Sequence, residues 1–387
     1  MFIEDLVRQF KSLKTPFYYY DLQLLKQTLE QVHTHGISKD YHVHYAVKAN
    51  FNMKILSIIR EAGLAIDCVS GREIERALEA GFQPDQIAFA GVGKTDEEMQ
   101  TGLDYNIFSF NCESLQEIEV LNELARKTGK TANVSIRLNP NIEANTHKYI
   151  TTGLNENKFG INPEKLPDLF ELLPRMDAIE LTGIHFHIGS QIRDLQPYID
   201  LCERINSIQQ QFDKNGFDLE HINAGGGYGI NYESPDEEAI PDFKAFFEVF
   251  DNHLQVKDGQ QIHFELGRSL VGQCGSLISK VLFVKEGINT DFAVLDAGMT
   301  ELIRPALYQA SHKVDVLTSR KPEKTYDVVG PICETSDTFR RGVPLPELKR
   351  GDLVAIRSAG AYGQVMSSDF NLRERAEAYY SDEFNGK

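Results

Sequence analysis

From Tyr41 to Leu266 short apolar runs alternate with longer amphipathic stretches. The runs HVHYAV (42–47), AIDCV (65–69), IAFAG (87–91), IFSFN (107–111), VSIRL (134–138), LTGIHFH (181–187), HINAG (221–225) and IHFEL (262–266) have the length and composition of strands. Between them, segments such as MKILSIIREAG, REIERALEAG and SLQEIEVLNELARKTG carry apolar residues at helical spacing, and several stop at glycine. Eight strands alternating with helices predict a parallel (β/α)8 barrel, although an open doubly wound sheet gives the same alternation. After about residue 275 the rhythm changes. LISKVLFVKEG, DFAVLDAG, KVDVLT, TYDVVGP and DLVAIRSAG read as strands joined by turns, with little helix. The fold class is therefore α/β: a (β/α)8 barrel over 26–275 and a mainly β domain over 276–387. The segment TPFYYYD (15–21) precedes the helical LQLLKQTLEQV, and residues 1–25 are free to join the β domain.

Composition adds exclusions. The 387 residues are 41% hydrophobic and 25% charged, with a net charge of -17. Such an acidic surface repels nucleic acid and anionic membrane, so neither is an expected partner. The start MFIEDLVRQFKSLK lacks the basic and apolar regions of a signal peptide, and no apolar run approaches the ~18 residues of a membrane helix. The cysteines at 68, 112, 202, 274 and 333 are odd in number and form no CxxC pair. They argue against a disulfide framework or a structural zinc site and for a reducing compartment. The expected location is the cytoplasm.

Catalytic groups of such barrels come from the C-terminal ends of the strands. Lys48 follows the first. The second carries Asp67 and is followed by Ser70. The fifth offers Arg137 and Asn139, and the sixth ends at His187 with IGSQ behind it. The seventh ends in GGGYG (225–229), and the eighth contains Glu265 and ends at Gly267 and Arg268. A desolvated lysine near other cations forms a Schiff base with a carbonyl, which fits an aldolase or a pyridoxal phosphate enzyme. The glycines discriminate between the two. AGGGYG after the seventh strand, with Gly267 and Arg268 after the eighth, resembles a phosphate cradle at the usual barrel position. Phosphate plus a Schiff-base lysine is what pyridoxal phosphate requires, and Glu265 is the candidate acid for its ring nitrogen. His187 is placed to stack on that ring. At most one of His185 and His187 is expected to face the barrel centre. Metal binding by this HxH pair finds no supporting carboxylate or cysteine spacing, so no metal is expected.

HYAVKAN, DCVSGREIERA, GIHFHIGSQ, INAGGGYGI, FELGRSLVG, LDAGMTELIRPALYQA, VVGPICETSDTF and GAYGQVMSSDFN, in this order, resemble the diaminopimelate decarboxylases. These are fold III, alanine-racemase-like pyridoxal phosphate enzymes, and the resemblance spans nearly the whole chain. It implies that Lys48 holds the cofactor, that His187 stacks on its ring and that Glu265 meets its pyridine nitrogen. Asp67, Ser190, Gly226, Gly227, Gly267, Arg268 and Tyr362 would complete the cofactor site. Cys333 of ICETSD would be the proton donor, reaching the site of the partner subunit in a homodimer, with Glu334 beside it. Arg268, Arg304, Tyr308, Glu334 and Tyr362 would bind substrate. Two departures stand out: Leu266 replaces the usual proline of the strand-eight motif, and NLRERAEAYY replaces the usual Asn-Ser-Arg-Pro-Arg-Pro block.

The implied reaction converts meso-2,6-diaminopimelate to L-lysine and CO2. Its substrate carries a carboxylate and an ammonium at the distal end, and arginine forks suit the carboxylate. The alternatives are a related decarboxylase acting on another diamine acid or carboxynorspermidine, a non-catalytic pyridoxal phosphate carrier, and an amino acid racemase. Glu334 and Asp337, as neighbours, are expected to keep the Cys333 thiol protonated.

Overall fold

The computed structural model describes residues 2–142, 158–318 and 323–384. It divides into two compact units, one of residues 1–28, 230–241 and 268–387 and the other of 29–229 and 242–267. After a short strand β1 (Phe17–Tyr20), the second unit begins. Its strands are β2 (Tyr41–Ala46), β3 (Ala65–Cys68), β4 (Ile87–Phe89), β5 (Ser109–Cys112), β6 (Ala132–Arg137), β7 (Ile179–His185), β8 (His221–Gly226) and β9 (Gln261–Leu266). They close into a barrel in chain order, and parallel pairing of β2 with β9 completes it. Closure decides between the two architectures that the alternation allows.

Local chemistry sets the helix starts. Thr95 and Glu98 form a reciprocal capping box at Asp96–Tyr105, while Ser114 caps Leu115–Thr128, which Gly129 ends at φ 66°. Phe246, Phe247 and Phe250, on the helix Phe243–His253, pack edge-on against Phe264 of β9. Their burial fixes that helix to the outer wall of the barrel.

The barrel interior is unusually polar and is built in layers. At the N-terminal end of the strands, His44 Nε2 lies 2.8 Å from His263 Nδ1, and His221 Nε2 lies 3.1 Å from Ser135 Oγ. Phe108 stacks on His263 from 5.0 Å, and His42 does so from 4.6 Å. A cavity of about 250 Å³ opens beside them.

Burial lowers the pKa of all four rings, taking His44 to about 4 and His221 to about 3. A histidine whose folded pKa is depressed contributes stability that is present above its unfolded pKa and lost as pH falls through the folded one. The cofactor-free protein should therefore hold a flat denaturant midpoint above pH ~7 and lose stability steadily below ~6.5. Each histidine adds up to about 1.4 kcal/mol per pH unit. Urea titrations at several pH values check this, and His263→Gln should reduce the acid slope by close to one proton. An unchanged slope in that variant would mean that His263 titrates as it does in the unfolded chain.

The first unit is mainly β. Its strands are β10 (Gly275–Lys285), β11 (Asp291–Leu295), β12 (Val314–Val316), β13 (Glu323–Val329), β14 (Thr338–Pro346), β15 (Leu353–Ile356) and β16 (Glu377–Tyr380). They run in the order β12-β15-β10-β11-β13-β14, and β1 lies antiparallel to β10 and parallel to β16. Phe10, Phe17, Tyr19 and Phe384 pack edge-to-face and tie both ends of this unit together. Residues 230–241 and 268–275, which lie between barrel strands or just after the last one, group with this unit. Arg268 bonds Tyr232, Gln273 bonds the Glu238 carbonyl, and Arg357 pairs with Asp236. The divergent C-terminal block supplies β16 itself. Among the described residues, no helix is long and apolar enough to cross a membrane.

Candidate active site

β2 stops at Ala46, and Lys48 lies in a single 3-10 turn, Val47–Ala49. The Asn50 N–H bonds the Val47 carbonyl, and the Tyr45 hydroxyl bonds the Asn50 carbonyl at 2.8 Å. These bonds turn the chain out of the ladder, so the lysine stands on a turn and not on the strand proper. Gly267, following β9, is what lets the turn sit so close. A Cβ there would lie 3.2 Å from the Ala46 methyl and 3.3 Å from that of Ala49. Leu266, in the place of the family's proline, ends β9 fully buried, and its partner across the ladder is Tyr45.

Lys48 Nζ lies 3.0 Å from Asp67 Oδ2, with the lysine side chain 37% exposed and the aspartate fully buried. The other Asp67 oxygen has no hydrogen-bond partner among the described residues. Burial, then repulsion from Glu265, pushes the Asp67 carboxyl up to about 7, and the attraction of Lys48 only partly offsets this.

Glu265 occupies the next layer. Oε1 accepts from Asn111 Nδ2 at 3.0 Å and from Asn223 Nδ2 at 2.8 Å, and Oε2 faces His185 Nε2 at 2.9 Å. A carboxylate only accepts, so the His185 proton sits on Nε2. Burial alone would raise the Glu265 carboxyl. The bond and charge of His185 and the field of Lys48 outweigh it, and the group is held well below the usual carboxylate range. A buried anion carrying three side-chain donors is an obligate charge at the barrel centre.

His185 and His187 therefore do not divide between the two faces of β7. Residues two apart on a strand share a face. His185 contacts Glu265, and His187, one step further along, feels Arg137, Lys48 and Glu265. Burial and those two cations lower its pKa to about 3, so a neutral ring faces the mouth of the barrel. The glycine run departs from a row of bare donors. The Gly225 N–H goes to Asn223 Oδ1, the Gly226 N–H to His187 Nδ1 at 3.4 Å, and the Gly229 N–H to the Ile192 carbonyl. Close packing requires these glycines as well, since a Cβ on Gly226 would strike the Glu265 carbonyl at 1.7 Å. Gly227, at φ 95°, turns the chain away from the strand.

Other residues singled out at strand ends have local partners or settings. Ser70 caps the helix Gly71–Glu79 through the Glu73 N–H. Asn139 accepts from the Asn141 N–H. Arg137 is paired with Glu113 at 2.7 Å, and Glu113 also receives the N–H groups of Gly91 and Gly160. Ser190 is partly buried between Gly189 and Gln191, both at positive φ. The sequence reading missed Asn111 and Asn223. The signal was in their parity, since each lies an even number of residues from another inward-facing side chain of its strand.

The first unit carries its own cationic cluster. Arg268 Nη1 donates to the Tyr232 hydroxyl at 2.7 Å, and its guanidinium lies over the Tyr362 ring at 4.7 Å. Arg304 stacks on Tyr232 at 4.6 Å and begins the helix Arg304–Tyr308. Both guanidiniums are buried. Arg304 forms no ion pair among the described residues, and its Nε is buried without a partner. Cys333 and Glu334 are exposed on the loop after β13. Asp337 is engaged with the backbone. It is buried, and its two oxygens take the N–H groups of Met299 at 2.6 Å and Ile332 at 2.7 Å, which fixes the loop.

A lysine on a turn, a carboxylate held by three donors, a neutral imidazole and a tight glycine turn in one barrel suit an aromatic cofactor with a ring nitrogen and a phosphate. Comparison agrees. The family described as pyridoxal-dependent decarboxylase, pyridoxal binding domain, matches residues 23–272, which defines the class and its cofactor, pyridoxal phosphate. Diaminopimelate decarboxylase from Bacteroides thetaiotaomicron is 53% identical over 97% of this chain and 98% of its own. The Aquifex aeolicus enzyme of the same name is 40% identical over 95% and 86%. The crystal structure of diaminopimelate decarboxylase from Helicobacter pylori complexed with L-lysine aligns with a TM-score of 0.91 at 40% identity, covering 96% of this chain and 93% of that one. The chain belongs to the diaminopimelate decarboxylase family.

Proposed function

We propose that this enzyme removes CO2 from meso-2,6-diaminopimelate to give L-lysine, the last step of lysine biosynthesis, and that it works in the cytoplasm as a homodimer with shared sites. One observation carries the choice of substrate. Arg304 is a buried cation with no ion pair among the described residues, so it suits a ligand that brings its own second carboxylate. Lysine and ornithine bring none.

Pyridoxal phosphate, when bound, supplies a carbonyl that condenses with amines and a protonated ring that takes up the electron pair left as CO2 departs. Lys48 would provide the amine that anchors it, with Asp67 as the adjacent proton acceptor. Glu265 keeps the ring nitrogen protonated, because three donors hold it ionised. His187, neutral and half-buried, would lie against the ring face. Gly226, Gly227, Gly267, Ser190 and Tyr362 would hold the phosphate. Arg304, Arg268 and Tyr308 take the distal carboxylate, and Glu334 takes the distal ammonium. Cys333 delivers the proton to the carbon that lost CO2.

Purified enzyme with pyridoxal phosphate should release one CO2 and form one L-lysine per meso-diaminopimelate, and release little CO2 from lysine or ornithine. Comparable turnover of either control would transfer the assignment to a general diamino acid decarboxylase. The shared site has its own test. Lys48→Ala and Cys333→Ala homodimers should each be nearly inactive. Subunit exchange at equal amounts should restore about a quarter of wild-type sites, because half the dimers are mixed and each of these has one intact site. A mixture that stays inactive after demonstrated exchange puts both residues on one chain's site.

A further inference from the structure

His312 is the neighbour that decides how Arg304 presents its charge. The imidazole is fully buried. Nδ1 lies 2.8 Å from the Arg357 carbonyl, and Nε2 lies 2.7 Å from Arg304 Nη1. A carbonyl only accepts, so the ring proton is on Nδ1, and the bare Nε2 lone pair accepts from the guanidinium. Arg357, whose carbonyl anchors the ring, is itself fixed by Asp315 and Asp236. Tyr232 meets His312 edge-on at 4.9 Å and carries Arg304 on its face. The guanidinium is thus aimed by one hydrogen bond and one aromatic face, and neither neutralises it. Burial and the surrounding Arg304, Arg268 and Arg340 lower the His312 pKa to about 3, so the ring stays neutral in the working range.

We propose that His312 is a specificity-determining positioning residue, a neutral acceptor that orients Arg304 and leaves its full charge for the carboxylate on the side chain of the substrate. The idea rests on the reading of Arg304 given above. A carboxylate in the place of His312 would aim the guanidinium equally well. It would also cancel the charge that a diacid substrate needs.

Three variants separate these effects, with Arg304→Ala as the reference. His312→Leu removes the acceptor and should raise KM for meso-diaminopimelate on the order of tenfold, with kcat and the visible absorbance of the bound cofactor nearly unchanged. His312→Gln restores an acceptor for Arg304 and a donor for the Arg357 carbonyl, and should recover most of that loss. His312→Glu keeps the hydrogen bond and should raise KM as far as Arg304→Ala does. Inhibition by L-lysine, the product that keeps the distal carboxylate, should weaken alongside KM in the Leu and Glu variants and recover in the Gln variant.

Where His312→Leu fails to fold, the Gln and Glu variants decide. Equal KM values for wild type, Gln and Glu would overturn the proposal. So would a parallel fall in kcat, cofactor binding and KM performance, since that marks a purely structural role. Arg304→Ala with unchanged KM would instead overturn the reading of Arg304, whatever the His312 variants show.

Discussion

Lys48→Ala is expected to leave a folded protein whose kcat is lower by at least about a thousandfold. The substitution removes the amine that anchors the cofactor and the group nearest Asp67. It should not unfold the barrel. The lysine side chain is 37% exposed and pairs with Asp67. Burial already raises the Asp67 carboxyl against the lowering pull of Lys48, so losing Lys48 favours its protonated form. The expected signature is a normal melting transition, cofactor held only by reversible contacts, and no visible band that persists through dialysis. Substantial turnover in this variant would remove Lys48 from the chemistry.

Glu265→Gln is expected to lower kcat by about a hundredfold or more, which corresponds to roughly 2.7 kcal/mol of lost stabilisation. The geometry explains the size. The carboxylate accepts from Asn111, Asn223 and His185, and an amide offers one oxygen and one NH2 in that ring of donors. One Asn amide can flip, or the His185 proton can move to Nδ1, so the site can remain folded. It cannot remain negatively charged, and the ring nitrogen then loses the partner that keeps it protonated. Cofactor should still bind, with a changed dependence of its absorbance on pH. Near wild-type kcat at saturating substrate would reduce Glu265 to a wall residue.

Much of this site is legible in the chain because strand parity is rigid. HVHYAV puts His42, His44 and Ala46 on one face, and IHFEL puts His263 and Glu265 on one face, so the apolar runs already encode a polar interior. Looking only at strand ends hides this. Asn111 and Asn223 lie inside their strands, where asparagine reads as an ordinary ladder residue, and their meaning appears only when β5 and β8 are brought around to Glu265. The same parity argument, applied to His185 and His187, places both inside. The glycine run was legible as a close approach. Its partners were not, because the Glu265 carbonyl that excludes a Cβ from Gly226 lies 39 residues away on the next strand. Asp337 likewise looked like a partner for Cys333 by proximity in sequence, whereas burial commits it to two backbone N–H groups. The groups most legible in the chain are those whose chemistry demands a special position: a lysine on a turn and a carboxylate among donors.

The most direct test of the central claim is to find where the cofactor is attached. Enzyme loaded with pyridoxal phosphate, reduced with borohydride, digested and mapped by mass spectrometry should carry one phosphopyridoxyl group per chain, on the peptide containing Lys48. Prior addition of meso-diaminopimelate should release that site from labelling. A label on any other lysine, or labelling of Lys48 that the substrate does not affect, would contradict the account.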